Sequence, residues 1–430
     1  MSTPLPRLDP RPLLGRVVRA VGTTIEATMG EAQIGEICLL RNPHTGETLR
    51  AEVIGVSDGK ALLTPLGRLA GLSTRTEVLP TGESLSIEVG PGLLGRTLDG
   101  FGQTIDGTGW TRSPVDRNCS LDGNAPPPLT RTLVSEPMAL GIRSIDGLLT
   151  CAVGQRLGIY GEPGAGKSSL LAQIVRGAAV DVAVVALIGE RGREVGEFIQ
   201  RHLGDRRDRS VVVAATADRP AAERVKAAMV ATTIAEYFRD QGKRVLLVVD
   251  SITRFARAVR EIGLAAGEPP ARRGFTPSVF AALPSLLERA GPGERGSITA
   301  FYTVLVEGDG TLDPIAEETR AILDGHVVLS SELAQADHFP AIDILKSRSR
   351  VAAAVCAPEH TAAAGQLRAL IARYGEIELM LRVGDYRAGS DPLADRAIAR
   401  HGAVTDFLRQ APGEVTGWTD MLHRLDGLVS

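Results

Sequence analysis

The 430-residue chain lacks a marked excess of either charge, any apolar run long enough to cross a bilayer, and any paired cysteine motif. A formal net charge of -3 gives no electrostatic reason to favour DNA, RNA or anionic lipid, so nucleic acid is not an expected partner. Cys38, Cys119, Cys151 and Cys356 are scattered without metal or redox spacing. That argues against structural zinc and predicts four reduced thiols. Spanning a bilayer takes about 18 consecutive apolar residues, which are absent here. Pro4, Pro6, Asp9 and Pro10 stand where a secretory signal would carry its apolar core. A soluble protein inside the cell is expected. What is present is ordinary globular composition, 43% apolar and 23% charged. At about 150 residues per domain the length suggests roughly three domains.

From about Leu13 to Leu79, short β-branched and apolar stretches such as Arg16 to Val21, Ile34 to Leu40 and Glu52 to Val56 are broken by glycines every few residues. That spacing predicts a small antiparallel barrel. Residues 90–130, rich in Gly, Pro, Asp and Thr, read as an irregular connection contributing few core contacts. From Val153 to Ser349, apolar runs alternate with helical patterns: Leu157 to Tyr160, Val182 to Ile188, Ser210 to Ala214, Val245 to Val249 and Ser297 to Leu305. The alternation predicts parallel strands with crossover helices. In the long helical segment Ala221 to Arg239, the stripe of Val225, Ala228, Met229, Thr232, Ala235 and Tyr237 reads as core. Beyond Val351, helical patterns at Gln366 to Tyr374 and Leu393 to Arg409 predict a smaller helical domain, with Gly375, Gly384 and Gly389 as stops. The resulting division is 1–85, 86–350 and 351–430.

The most informative stretch is Gly161-Glu-Pro-Gly-Ala-Gly-Lys-Ser168, a phosphate-binding loop between an apolar strand and a helix-forming run that begins at Ser169. Gly161, Gly164 and Gly166 let successive N–H groups converge on an anion at a helix N-terminus. Lys167 reaches the β and γ phosphates, and Ser168 offers a hydroxyl to magnesium, so ATP with Mg2+ is the expected ligand. Glu162, Pro163 and Ala165 complete the loop, although Pro163 has no N–H and is expected to precede the cradle. A second signal is Val245-Leu-Leu-Val-Val-Asp250, an apolar strand ending in a carboxylate suited to the metal side of the site. A third is Ala186-Leu-Ile-Gly-Glu-Arg-Gly-Arg-Glu-Val195, which presents Glu190 and Arg191 at the carboxyl end of a strand. There a carboxylate can activate water and a guanidinium can hold the γ-phosphate. Spacing alone suits equally well a Glu and an Arg that pair with neighbours on a solvated turn.

Further stretches carry a family likeness. Gly189-Glu-Arg-Gly-Arg-Glu194, Asp250-Ser-Ile-Thr-Arg-Phe255, Pro270-Ala-Arg-Arg-Gly-Phe-Thr-Pro-Ser-Val-Phe280 and Ile298-Thr-Ala-Phe-Tyr-Thr-Val-Leu-Val-Glu-Gly-Asp309 resemble the family of rotary ATP synthase catalytic subunits and export ATPases. Ala139 to Leu149 and Ala321 to Ser330 resemble its export branch, flagellar and type III. Phe339 to Ser347, with Leu345-Lys346 where flagellar members usually carry an acidic and a small residue, leans toward the injectisome type.

This resemblance implies an α/β fold with a RecA-like P-loop NTPase core, an N-terminal barrel for oligomerisation and a C-terminal helical domain that contacts substrates. It implies Glu190 for water activation, Arg191 for the γ-phosphate, Arg254 in the polar shell behind Asp250, and Phe339 against adenine. Arg350, in Ser347-Arg-Ser-Arg350, matches an arginine finger inserted into the neighbouring subunit, with Arg348 as competitor. A homohexamer follows, which releases chaperones from effector proteins and unfolds them. Its implied partners are stator and central-stalk proteins and an inner-membrane export gate, whose cytoplasmic face it would visit. The chain departs from the pattern at Glu162, Pro163 and Gly310. Alternatives are a flagellar export ATPase, a proton-driven synthase subunit, a ring helicase and a non-catalytic assembly subunit. Net acidity argues against the helicase.

Several basic or titratable residues have plainer readings. His326 and His338 lack a partner at metal spacing, and the run Arg201, Arg206, Arg207, Arg209 is broken by Asp205 and Asp208, as on a solvated face. Arg7, Arg11, Arg16 and Arg19 suit either partner or membrane contact, or disorder followed by a barrel edge. Arg272 and Arg273, in the loop Gly263 to Gly274, could face a central pore or a neighbour.

Overall fold

The computed structural model describes residues 14–110, 113–306 and 313–430. Arg7, Arg11, Gly310 and the end of the stretch at Asp309 lie outside these residues. The first six strands, β1 (Gly15–Val21), β2 (Thr24–Thr28), β3 (Glu36–Arg41), β4 (Thr48–Ser57), β5 (Lys60–Pro65) and β6 (Glu77–Ser84), close into an antiparallel barrel of order β1-β2-β5-β4-β3-β6. Inward positions Ile25, Ala27, Cys38, Leu40, Ala51, Val53, Ala61 and Leu63 fill its core. Alternation along each strand sends the intervening residues outward. Asp58 and Gly59 take φ of 49° and 72° between β4 and β5, the geometry of a tight hairpin turn that Asp-Gly favours. Arg16 and Arg19 are exposed on β1.

Three short strands follow, β7 (Ser86–Val89), β8 (Thr97–Leu98) and β9 (Arg117–Ser120). Next come the strands of the nucleotide-binding unit: β10 (Arg156–Gly161), β11 (Val182–Ile188), β12 (Ser210–Ala215), β13 (Arg244–Asp250), β14 (Gly291–Pro292), β15 (Ser297–Leu305), β16 (Gly325–Leu329) and β17 (Ile342–Ser349). The nine-stranded sheet runs β17-β16-β10-β15-β13-β11-β12-β8, with β14 pairing β15. It is parallel except for β17 and β14. The strands are apolar at successive positions because both faces are covered. Val184, Ala186 and Ile188 of β11 enter one core with the helix Ala221–Asp240, while Ala183, Val185 and Leu187 enter the other with the helix Lys167–Gly177.

Two expectations are corrected. Residues 90–130 do supply core: Leu93, Leu98 and Leu121 are each at most 1% exposed, and β8 extends the sheet beside β12. Burial here overrides the turn-rich composition, because a short extended segment can pair with a sheet edge whatever surrounds it. Gly375 does not stop a helix, since the helix Pro358–Val383 runs through it and ends at Gly384, whose φ is 75°. A mid-helix glycine costs only about 1 kcal/mol, and neighbouring Leu370 and Ile377 are buried.

The helices Pro358–Val383, Pro392–Leu408 and Trp418–Val429 share a core with the nucleotide-binding unit through Leu367, Phe407, Met421 and Leu425. Buried Arg143 fixes this junction: its Nε donates to Phe407 O at 2.9 Å, and its Nη1 donates to Thr416 Oγ1 at 3.0 Å and pairs with Glu414. No helix among the described residues is long and apolar enough to cross a membrane. Leu98→Ala should lower unfolding free energy by about 2–5 kcal/mol in chemical denaturation, the usual cost of a buried leucine truncation. A loss below 0.5 kcal/mol would return the connection to a surface role.

Candidate nucleotide-binding site

Parallel strands put their carboxyl ends on one edge of the sheet, and three of them deliver the site. β10 leads into the glycine loop, β13 ends at Asp250, and β11 ends just before Gly189-Glu190-Arg191. Gly164 and Gly166 have φ of 89° and 87°, in the left-handed region that strains any residue with a Cβ. Gly166 caps the helix Lys167–Gly177 and no side chain caps it. Its first-turn N–H groups are therefore available to an anion. A Cβ on Gly166 would stand 3.2 Å from Cε1 of Phe339, so the Phe339 ring lies against the loop. Gln410 N–H donates to Phe339 O at 2.8 Å, which ties that ring to the C-terminal helices.

Within the loop, Ala165 is buried and Pro163 is exposed, as are Ser168 and Ser169 at the helix start. The carboxylate of Glu162 accepts a hydrogen bond from Ser331 Oγ at 2.5 Å. Lys167 Nζ donates to Gly161 O at 3.1 Å and Glu162 O at 3.4 Å. Burial lowers its pKa, while Asp250 and Glu190 oppose that shift.

Asp250 is only 6% exposed, and Thr303 Oγ1 of neighbouring β15 donates to its Oδ1 at 2.5 Å. Burial raises its pKa, against the hydrogen bond from Thr303 and the charges of Lys167 and Arg254. Glu190 is pushed up to about 7, first by burial, then by the negative charges of Asp250 and Glu194. Arg254 Nε lies 3.9 Å from Glu190 Oε1, too far for a hydrogen bond. That Nε is buried and has no hydrogen-bond partner among the described residues. The Arg254 side chain packs against Gly189, whose φ of 67° turns the chain at the strand end. Two carboxylates, an ammonium and an unsatisfied guanidinium nitrogen thus crowd one side of the loop. An oxygen-rich anion with a divalent cation would satisfy all of them.

The structure brings Lys167, Glu190, Asp250 and Arg254 into mutual electrostatic contact and sets Phe339 on the loop. Two other candidates stand apart. Arg191 has a side chain 80% exposed and pairs with Glu194 at 3.4 Å. Arg350 follows β17, which returns antiparallel to β16, so Ser349 pairs with Gly325 at the amino end of the sheet. The opposite end of β10 carries the glycine loop. At about 3.3 Å per residue, β10 separates the two by roughly 17 Å. Arg350 cannot serve its own loop. Arg348 is likewise exposed there, opposite His326. Arg272 is held within its own chain, pairing with Glu317 at 2.7 Å.

Thr303, Glu194, Ser331 and Gln410 were not singled out by the sequence. Glu194 and Thr303 do lie within stretches that carry the family likeness, and Thr303 stands out as a hydroxyl residue inside an apolar strand next to the one that ends in Asp250.

Family models match three consecutive parts of the chain. These are the ATP synthase alpha/beta family beta-barrel domain over residues 17–82, that family's nucleotide-binding domain over 141–349, and the T3SS EscN ATPase C-terminal domain over 356–427. A type 3 secretion system ATPase of Sinorhizobium fredii is 59% identical over 99% of this chain and 94% of its own length. A flagellum-specific ATP synthase of Bacillus subtilis is 46% identical over 93% and 91%. The assembled ATPase EscN of the enteropathogenic E. coli type III secretion system superposes with a TM-score of 0.92 at 46% identity, covering 97% of this chain and 100% of that one. EscN in complex with its central stalk EscO gives 0.89 at 45% identity, with the same coverage.

Gly166→Ala imposes a left-handed conformation on a residue with a Cβ, at about 1–2 kcal/mol. Titration with a fluorescent ATP analogue should show affinity weakened about 5- to 30-fold. Unchanged affinity would mean that the loop does not need its left-handed turn to hold phosphate.

Proposed function

We propose, for a chain that belongs to the type 3 secretion system ATPases of the ATP synthase alpha/beta family, that it hydrolyses ATP as a hexameric ring whose sites are each completed by the next subunit. The observation that carries this reading is the position of Arg350, exposed at the edge of the sheet opposite its own glycine loop. A cation so placed can reach only a neighbour's triphosphate.

In each site the backbone of Gly161, Glu162, Gly164, Ala165 and Gly166, with Lys167, cradles the phosphates, while Ser168 and Ser169 open the helix behind them. Phe339 stacks on the base. Magnesium would be held by the Ser168 hydroxyl and the Asp250 side, hard oxygen donors of the kind it prefers. When bound, it neutralises charge on the β and γ phosphates. Glu190, pushed up to about 7 by burial and the Asp250 charge despite Arg254, orients the attacking water and takes up its proton. Arg254 faces the γ-phosphate with its unsatisfied nitrogen. Arg191 can join it by turning in from solvent, and Arg350 of the adjacent subunit meets the charge that develops in the transition state.

The barrel is proposed to hold the ring together and the C-terminal helices to contact secretion chaperones and effector proteins. Turnover would then release and unfold export substrates. The solved complex of a 45% identical relative with its central stalk supports an equivalent stalk partner here. Stator contact and peripheral attachment to an export gate at the cytoplasmic face of the inner membrane complete the reading. The flagellar alternative is less favoured, since two type 3 secretion system ATPases stand at 59% and 54% identity against 48% and 46% for two flagellum-specific relatives.

Arg350→Ala should bind ATP normally yet lose about 10^3- to 10^5-fold in kcat, the usual contribution of an arginine finger. Wild-type turnover in that variant would remove it from the chemistry. Glu190→Gln should lower kcat by about 10^2- to 10^4-fold with little change in nucleotide affinity. Specific activity should rise with protein concentration as rings form, and a flat profile down to monomeric dilutions would contradict sites completed in trans.

A further inference from the structure

The residue just before the phosphate loop is buried Tyr160, and its surroundings connect the two ends of β10. Its ring folds back over Gly158, where a Cβ would come within 2.4 Å of Tyr160 Cε2. The Tyr160 hydroxyl thereby points toward the amino end of the strand, where it donates to Thr319 Oγ1 at 3.0 Å. The Thr319 hydroxyl spends its own proton on Ile315 O at 2.7 Å, which fixes the direction of the chain of hydrogen bonds. Thr319 lies on the helix Pro314–Ile322, and the next residue, Arg320, sets its guanidinium 4.8 Å from the centre of the Tyr160 ring. The main-chain oxygen of Arg320 accepts a hydrogen bond from Arg350 Nη2 at 3.0 Å. A continuous path of direct contacts therefore runs from Gly161 through Tyr160 and the pair Thr319-Arg320 to Arg350.

The loop end of this path holds contacts for which nucleotide competes. Lys167 Nζ donates to the carbonyls of Gly161 and Glu162, and a triphosphate competes for the same ammonium protons. Nucleotide binding therefore acts on the peptide that adjoins Tyr160. The helix Pro314–Ile322 is the element both ends share: it is gripped by Tyr160 through side chains and grips Arg350 through its backbone.

We propose that Tyr160, Thr319 and Arg320 are positioning residues that make the arginine lent to the next subunit depend on triphosphate in the lender's own phosphate loop. This rests on the assignment of Arg350 to the neighbouring site, and deepens it. Tyr160→Phe removes one hydroxyl from the path and keeps the ring under Arg320.

The test uses rings of the full chain doped with increasing fractions of Lys167→Ala subunits. In otherwise wild-type rings, each subunit unable to hold triphosphate also withholds its arginine, so turnover falls more steeply than the fraction of intact subunits. With Tyr160→Phe throughout, the fall becomes proportional, and undoped rings lose about 5- to 150-fold in kcat while ATP affinity stays within about twofold, the range of an intersite coupling. Thr319→Val should reproduce this and Thr319→Ser, which keeps the acceptor, should restore the steep curve, so a folding defect in one variant does not decide the outcome. Steep curves in both Tyr160→Phe and Thr319→Val overturn the proposal. If Arg350→Ala is inactive while those curves stay steep, only the link falls. If Arg350→Ala turns over normally, the trans arginine falls and the link with it.

Discussion

Burial of the central sheet on both faces forces every functional group of the nucleotide-binding unit to one of its two edges. The faces are sealed by Val184, Ile188 and Val249 on one side and by Val185, Leu187 and Val248 on the other, so no polar side chain can enter there without losing its hydration. Parallel strands then gather their carboxyl ends, the glycine loop, Asp250 and Glu190, on a single edge. The antiparallel return of β17 sends Arg350 to the other edge. Under the proposed assignment of Arg350 to the neighbouring site, one chain carries both halves of a reaction that neither half completes alone, and assembly becomes a chemical requirement.

At the loop edge, low polarizability strengthens each charge interaction. Asp250, sealed beneath Thr303 and near Lys167, and Glu190, facing Asp250 and Glu194, hold like negative charges at close range. Burial and like charge raise both carboxylates, and Lys167 and Arg254 only partly offset this. Such a cluster is poised for a multivalent anion and its cation, which would relieve the unpaired Arg254 nitrogen and the crowded carboxylates together. The C-terminal helices belong to the same mechanical unit. Arg143 holds the carbonyls that end the helix Pro392–Leu408, and Gln410 in turn holds Phe339 on the loop. Rearrangement of the helical region would therefore be felt at the Phe339 ring beside the glycine loop.

The sequence by itself determined whatever depends on neighbours along the chain. The glycines of the phosphate loop, the apolar run that ends in Asp250, the strand that stops at Gly189 and the five long parallel strands follow from local geometry and from period, and the structure places them where the pattern did. The glycine-broken alternation of the first domain likewise dictated a barrel. Tertiary structure decided the rest. The hydrogen bond from Thr303 to Asp250 depends on which strands lie side by side, and the contacts of Tyr160 with Thr319 and Arg320 join residues some 160 positions apart. Leu98 is buried because a sheet edge was free to receive it, and the helix through Gly375 persists because its neighbours pack. That Arg350 lies beyond reach of its own loop is visible only once β17 is seen to run backwards. Local patterns fix which groups exist and the backbone they sit on; their separation in space is set by strand order and direction, which no short window of sequence encodes.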